Sequence, residues 1–235
     1  MTNIVVIGCS WSRAYDNTGA KYFMSWPEHL AAKHSDLFVY NYSQYCNSVP
    51  GQLLTQQLLF DIFKNTNISI DAMILQFTRH GRKTYIKSIE DYKKTLLPSK
   101  LTLKETKNYM EYPEELCYFD EKTPEDSLVV HLNSANVNIN SPSKIIQSYT
   151  TEMLYGIDST SLNVSLIEQH MVKQCHKRNI PVVAYKHLHT DYTSHLDFVL
   201  QDCVDFDNYT IDDGYHFGQP GSAMLADIIY EKLNV

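Results

Sequence analysis

Four apolar residues near the start of the chain, Ile4-Val5-Val6-Ile7, restrict the fold more than any other stretch. All four are β-branched and none is charged, so they read as a strand covered on both faces. A strand buried on both sides belongs inside a parallel sheet flanked by helices. Gly8 follows at once, where the chain must turn, and Cys9-Ser10-Trp11-Ser12 come next. In an open parallel sheet the carboxyl ends of the strands are where ligands bind. A serine at that place is either a helix cap or a nucleophile.

Downstream segments repeat the alternation of strand and helix. Ser25-Trp26-Pro27-Glu28 predicts a helix running to about Lys33, with Ser25 as cap and Glu28 at the capping-box spacing. His29 and His34 are expected on its surface. Leu37–Asn41 reads as a second strand, ending in the polar turn Tyr42-Ser43-Gln44-Tyr45-Cys46-Asn47-Ser48. A helix follows from about Pro50 to Lys64, with Leu54, Leu58 and Ile62 in register. Ile70–Phe77 is the third strand, and Thr78-Arg79-His80-Gly81-Arg82 lie at its end.

Residues 83–145 are less legible and read as an insertion or lid with elements of its own, Leu128–Leu132 being β-like. A helical region is expected over about 146–178, a fourth strand over Ile180–Tyr185, a short fifth at Val204-Asp205-Phe206 and a last helix over about Gly221–Leu233. The expected fold is therefore one domain over residues 1–235: a three-layer α/β/α, flavodoxin-like parallel sheet with an insertion.

Near the C-terminus stands Asp212-Asp213-Gly214-Tyr215-His216-Phe217-Gly218. Asp213 and His216 are three residues apart in a Gly-containing turn. A histidine that activates a serine needs a carboxylate to hold its ring and stabilise its charged form. One tight loop can supply both.

A serine after the first strand, with Asp-x-x-His before the last helix, resembles the layout of the SGNH (GDSL-like) hydrolases. Gly8-Cys9-Ser10 matches that family's Gly-Asp-Ser block with Cys9 in place of its aspartate. Asn41 matches the asparagine of the second block, and Cys46 falls where the family has a glycine whose N–H is an oxyanion donor. The third block departs from the pattern. Gln76-Phe77-Thr78-Arg79-His80 lacks the family's asparagine donor, and Asn47, Thr78 or Arg79 is left to replace it.

The resemblance implies an ester hydrolase with Ser10, His216 and Asp213 as a catalytic triad. Its oxyanion hole would be formed by Ser10, Cys46, Asn47 and Thr78. Trp11, Arg79 and His80 are the expected substrate contacts. It implies small acylated substrates, O-acetylated sugars among them, and no metal or cofactor. Two other readings share the fold: a weak or inactive binding protein, motivated by the lost asparagine, and an acyltransferase that uses the same serine.

Other signals are weaker. His187-Leu188-His189 with Asp191 and His195 has metal-like spacing, but reads more simply as a polar loop. Cys9 is a poor rival nucleophile, since it points away from Ser10. The five cysteines are scattered with no C-x-x-C pair, as expected of reduced thiols. A net charge of −7 argues against nucleic acid as a partner. The longest apolar runs are too short to span a bilayer, and no secretory signal is visible, so a cytoplasmic protein is expected.

Overall fold

A computed structural model of the chain describes residues 1–13, 24–44, 47–78, 82–113, 127–132, 144, 147, 161–187, 193–203, 209 and 217–233. Its centre is the expected buried strand, β1 (Thr2–Ile7). Side chains alternate across a strand, and here both sets are apolar. Val5 and Ile7 pack into one core cluster and Ile4 and Val6 into another, all four fully buried. Full burial of one such side chain contributes about 1.5–3 kcal/mol, which holds β1 at the middle of the sheet.

The other elements follow in chain order. They are α1 (Trp26–Lys33), β2 (Leu37–Asn41), α2 (Val49–Lys64), β3 (Ala72–Gln76), β4 (Lys83–Ile86) and α3 (Ile89–Thr95). Then come β5 (Thr102–Leu103), β6 (Tyr109–Glu111), β7 (Val129–Leu132), α4 (Ser161–His176), β8 (Val182–Lys186), β9 (Phe198–Val199) and α5 (Gln219–Leu233).

Seven strands form one sheet in the order β5-β6-β2-β1-β3-β8-β9. Every pairing in it is parallel except β5 with β6. Helices α1 and α5 cover one face through Trp26, Leu30, Leu225 and Ile229. Helices α2 and α4 cover the other through Leu59, Phe63, Val164 and Met171. This is a three-layer α/β/α sandwich of the flavodoxin-like kind. No helix among the described residues is long and apolar enough to cross a membrane.

Several expectations are corrected in detail. The stretch after residue 82 is more than a lid, because β5 and β6 extend the central sheet while β4 and β7 pair antiparallel in a sheet of their own. The short strand that follows β8 in the parallel sheet is Phe198–Val199; residues 204–206, where a short strand was expected, lie outside the described residues. So does most of 146–160, the first part of the helical region expected over about 146–178.

Ser25 stands at the cap position of α1 but makes no capping bond. Its hydroxyl instead meets Tyr109 OH at 3.1 Å, and Glu28 accepts a bond from Thr106 Oγ1 at 3.2 Å. His29 is half-buried rather than on the surface, and burial lowers its pKa. His34 stacks on Tyr230 with ring centroids 3.4 Å apart.

The order of β2, β1 and β3 sets the site. From β1 the chain crosses to β2 on one side, then returns to β3 on the other. The carboxyl ends of β1 and β3 therefore flank the point where the sheet changes direction, which is where such folds open a crevice.

Candidate functional site

The turn after β1 is tightly built. A Cβ on Gly8 would stand 2.7 Å from Ser12 Oγ, 2.8 Å from Gln76 Oε1 and 3.0 Å from Ser43 Oγ, so no side chain fits there. The chain then enters a short 3-10 turn over Ser10–Ser12, closed by Ser12 N–H to the Cys9 carbonyl at 3.0 Å. Ser10 does not stand at the cap position of either described element. Ser10 is the first residue of this turn, Cys9 holds the cap position, and α1 begins only at Trp26. Ser10 is buried, 5% exposed.

Gln76, at the end of β3, holds this turn. Its Oε1 accepts the Cys9 backbone N–H at 2.9 Å and the Ser12 hydroxyl at 3.4 Å. Its Nε2 donates to the Phe77 carbonyl at 2.9 Å. Its own carbonyl accepts from Gln52 Nε2, on α2, at 3.1 Å. Ser12 Oγ in turn accepts from Trp26 Nε1 at 3.2 Å. The residues on either side of Ser10 are thus tied to β3 and α1. In the sequence Gln76 shows only as part of a block that departs from the family pattern.

The loop after β2 is tied to the same turn. Asn41 Nδ2 donates to the Ser12 carbonyl at 2.7 Å and to Tyr109 OH at 2.9 Å, and its Oδ1 accepts from Ser43 N–H at 3.0 Å. Arg13 Nη1 donates to the Ser43 carbonyl at 3.0 Å, while Arg13 Nε lies 3.5 Å from Glu111 Oε1. Gln44 N–H reaches the Gly8 carbonyl at 3.3 Å. Asn41 is therefore a brace between the first two loops.

Two expected oxyanion donors have unpartnered polar atoms. Among the described residues, Asn47, fully buried in the second loop, has no partner for its Nδ2, and Thr78, 5% exposed just past β3, has none for its Oγ1. Leaving a buried polar group without a partner costs about 1–3 kcal/mol. In a native protein such a group calls for an explanation, such as a catalytic role, a bound water or strain. Cys46, Arg79, His80, Asp213 and His216 lie outside the described residues.

What is described next to His216 bears on its loop. Phe217 packs edge-on against Trp11, the neighbour of Ser10, with centroids 5.6 Å apart. Gly218 N–H donates to the Tyr209 carbonyl at 3.0 Å, drawing residues 209 and 218 together. A Cβ on Gly221 would meet the Phe217 ring and the Tyr209 carbonyl at 2.8 Å, so α5 starts hard against this closure. His187, just past β8, lies against Trp11 at 3.6 Å and 6.1 Å from Phe217. His195 instead bonds Glu168, so these two histidines of the metal-like motif take different partners; His189 and Asp191 lie outside the described residues. Among the described residues no group of His, Cys, Asp and Glu could hold a metal ion.

Two buried clusters at this end of the sheet carry no local sequence signal. Glu168 on α4 meets Lys186 Nζ at 2.8 Å and His195 Nε2 at 2.9 Å, both on its Oε2. His131 on β7 lies between Thr84 on β4, at 2.9 Å, and Gln44 in the second loop, also at 2.9 Å.

Burial, reinforced by the charge of Arg82, pushes the His131 pKa down from 6.5 to about 3. The neutral ring is the form that fits the fold, while the unfolded chain takes up a proton below about pH 6.5. This contribution to stability is complete above about pH 6.5 and is lost progressively as the pH falls toward 3. In urea titrations, His131→Gln is expected to flatten the dependence of stability on pH between 4 and 6 by up to about 1.4 kcal/mol per pH unit. An unchanged slope would show that His131 does not resist protonation.

No protein-family model matches the chain, and no curated protein matches it.

Proposed function

We propose that the protein is a serine-dependent acyl hydrolase acting on small esters. The observation that carries this reading is the placement of Ser10 between two neighbouring loops, each with an unpartnered buried polar group, Asn47 Nδ2 and Thr78 Oγ1. Acyl transfer needs a nucleophile beside donors aimed at the developing negative oxygen. The packing of Phe217 on Trp11 supports His216, the preceding residue, as the base.

In this reading Ser10 Oγ attacks the ester carbonyl carbon and its proton passes to His216. Asp213 holds the imidazole and stabilises its charged form. The carbonyl oxygen becomes an oxyanion held by the N–H groups of Ser10 and Cys46, with Asn47 Nδ2 and Thr78 Oγ1 as further donors. The C–O bond then breaks, and the leaving alcohol takes the proton from His216. Water attacks the acyl-serine and gives its proton to His216; the acid departs and Ser10 is restored. Trp11, Arg79 and His80 flank the substrate. The burial of Ser10 favours short acyl groups, acetyl esters of sugars among them.

The test is labelling of the intact protein by a small fluorophosphonate, mapped by mass spectrometry. One adduct on Ser10, absent in Ser10→Ala, is the expected result. A folded protein that takes no label, beside a serine hydrolase that does, would refute the hydrolase and leave a binding protein on the same fold. Acyl transfer to an added alcohol acceptor in preference to water would make the enzyme an acyltransferase.

A further inference from the structure

The small sheet of β4 and β7 is wired into the second loop of the candidate site. Thr84, on β4, is the junction. Its Oγ1 accepts the Ser48 backbone N–H at 3.1 Å and lies 2.9 Å from the Ser48 hydroxyl. It also lies 2.9 Å from His131 Nδ1 and 3.1 Å from Asn47 Oδ1, with one hydroxyl hydrogen to share between them.

The wiring continues in one direction. With the Gln44 amide oxygen on its side, His131 Nε2, 2.9 Å from Gln44 Oε1, carries the ring hydrogen, and Nδ1 shares the Thr84 hydroxyl hydrogen with Asn47 Oδ1. Gln44 Nε2 donates to Tyr92 OH at 2.7 Å. The Tyr92 hydroxyl meets Thr55 Oγ1 at 2.7 Å, and Thr55 donates to the Gly51 carbonyl at 2.9 Å. Thr84, His131, Gln44, Tyr92 and Thr55 thus form a chain of bonds from β4 and β7, through the second loop, to the first turns of α2.

The packing around the junction is closed. A Cβ on Gly51 would stand 2.7 Å from Thr84 Oγ1 and would collide with Asn47 Oδ1. Ser48 caps α2 by accepting Gly51 N–H at 3.1 Å, so the backbone beside Asn47 is fixed as well. The Asn47 oxygen takes its share of the Thr84 hydrogen, and among the described residues its fully buried Nδ2 has no partner.

We infer that Thr84 and His131 are positioning residues that hold Asn47 Nδ2 as an oxyanion donor. The inference rests on the acyl-transfer reading above. It assigns Thr84 and His131 no contact with substrate. They act through Asn47, on the rate of the chemical step and not on binding.

Phosphonylation by a fluorophosphonate isolates that step. Ser10 Oγ bonds to phosphorus, its proton goes to His216, and fluoride leaves. The limiting rate and the half-saturating concentration are measured for wild type, Asn47→Ala, Thr84→Val and Thr84→Ser. Asn47→Ala is expected to lower the limiting rate about a hundredfold, as for loss of one oxyanion donor. Thr84→Val keeps the shape and removes the hydroxyl. It is expected to lower the rate about ten- to hundredfold, as for a misplaced group, with the half-saturating concentration unchanged. Thr84→Ser restores the rate.

A Thr84→Val or Asn47→Ala protein that is folded and reacts at the wild-type rate overturns the positioning role alone. A wild type that takes no label overturns the acyl-transfer reading and the inference with it. The ring ¹⁵N spectrum of His131 needs neither activity nor a variant that folds. A hydrogen on Nε2 is expected, and a hydrogen on Nδ1 would overturn the wiring.

Discussion

Hydrolysis of a short acyl ester is expected to fall about 10⁴-fold or more in kcat when Ser10 or His216 becomes alanine, and little further when both do. In the proposed reaction the two residues act as one unit. Without His216 the serine proton has no acceptor, and without Ser10 the base has nothing to activate. Asp213→Asn is expected to lower kcat about 10⁴-fold by favouring the wrong histidine tautomer. Asp212→Asn is the control, since the three-residue spacing to His216 belongs to Asp213. Asp212→Asn as damaging as Asp213→Asn would move the orienting role one residue upstream. Additive losses from Ser10→Ala and His216→Ala would mean that the two do not work on the same proton. A His216→Ala enzyme within tenfold of wild type would remove His216 as the base.

The parts of this site that can be read from the sequence are those whose signal is local. Ile4–Ile7 announces a strand buried on both faces because four β-branched residues stand in a row, and the turn after it follows from Gly8. Asn47 and Thr78 enter as candidate donors because they follow strands two and three, and among the described residues Asn47 Nδ2 and Thr78 Oγ1 have no hydrogen-bond partner. The rest depends on pairings made at a distance. Strands of two or three residues, such as β9 and β6, are too short to show a period of two. The capping box at Ser25 and Glu28 is a sound local pattern that loses to tertiary partners, Tyr109 and Thr106. Gln76 reads only as the start of a block that lacks the asparagine of the SGNH pattern, yet its side chain reaches the turn after β1 and bonds the N–H of Cys9. His131 meets Gln44 across 87 positions of sequence, and no spacing rule links them.

The buried cluster of Glu168, Lys186 and His195 carries the largest expected effect on stability. The Glu168 side chain is fully buried, and those of Lys186 and His195 are 4% and 6% exposed. Lys186 Nζ and His195 Nε2 sit on the same carboxylate oxygen, Oε2, and among the described residues the other, Oε1, has no partner. Lys186→Met keeps most of the apolar stem and removes the charge, leaving a carboxylate in the core with His195 alone. Breaking a buried pair in this way costs about 3–5 kcal/mol, which lowers Tm by roughly 6–20 °C in a chain of this size. Lys186→Met with Glu168→Leu is expected to recover most of that loss, since a well-packed apolar pair often matches a buried ion pair. A single variant that loses under about 1 kcal/mol would show that the pair behaves like one at the surface. The cluster also bears on the site. Lys186 is the last residue of β8, and the next residue, His187, lies against Trp11 beside Ser10. If the pair anchors this wall, Lys186→Met slows phosphonylation of Ser10 even below its own melting range, and the double variant restores the rate together with the stability. Recovery of stability without recovery of rate would mean that Lys186 serves the site directly, and the ion pair would then be part of the chemistry and not only of the core.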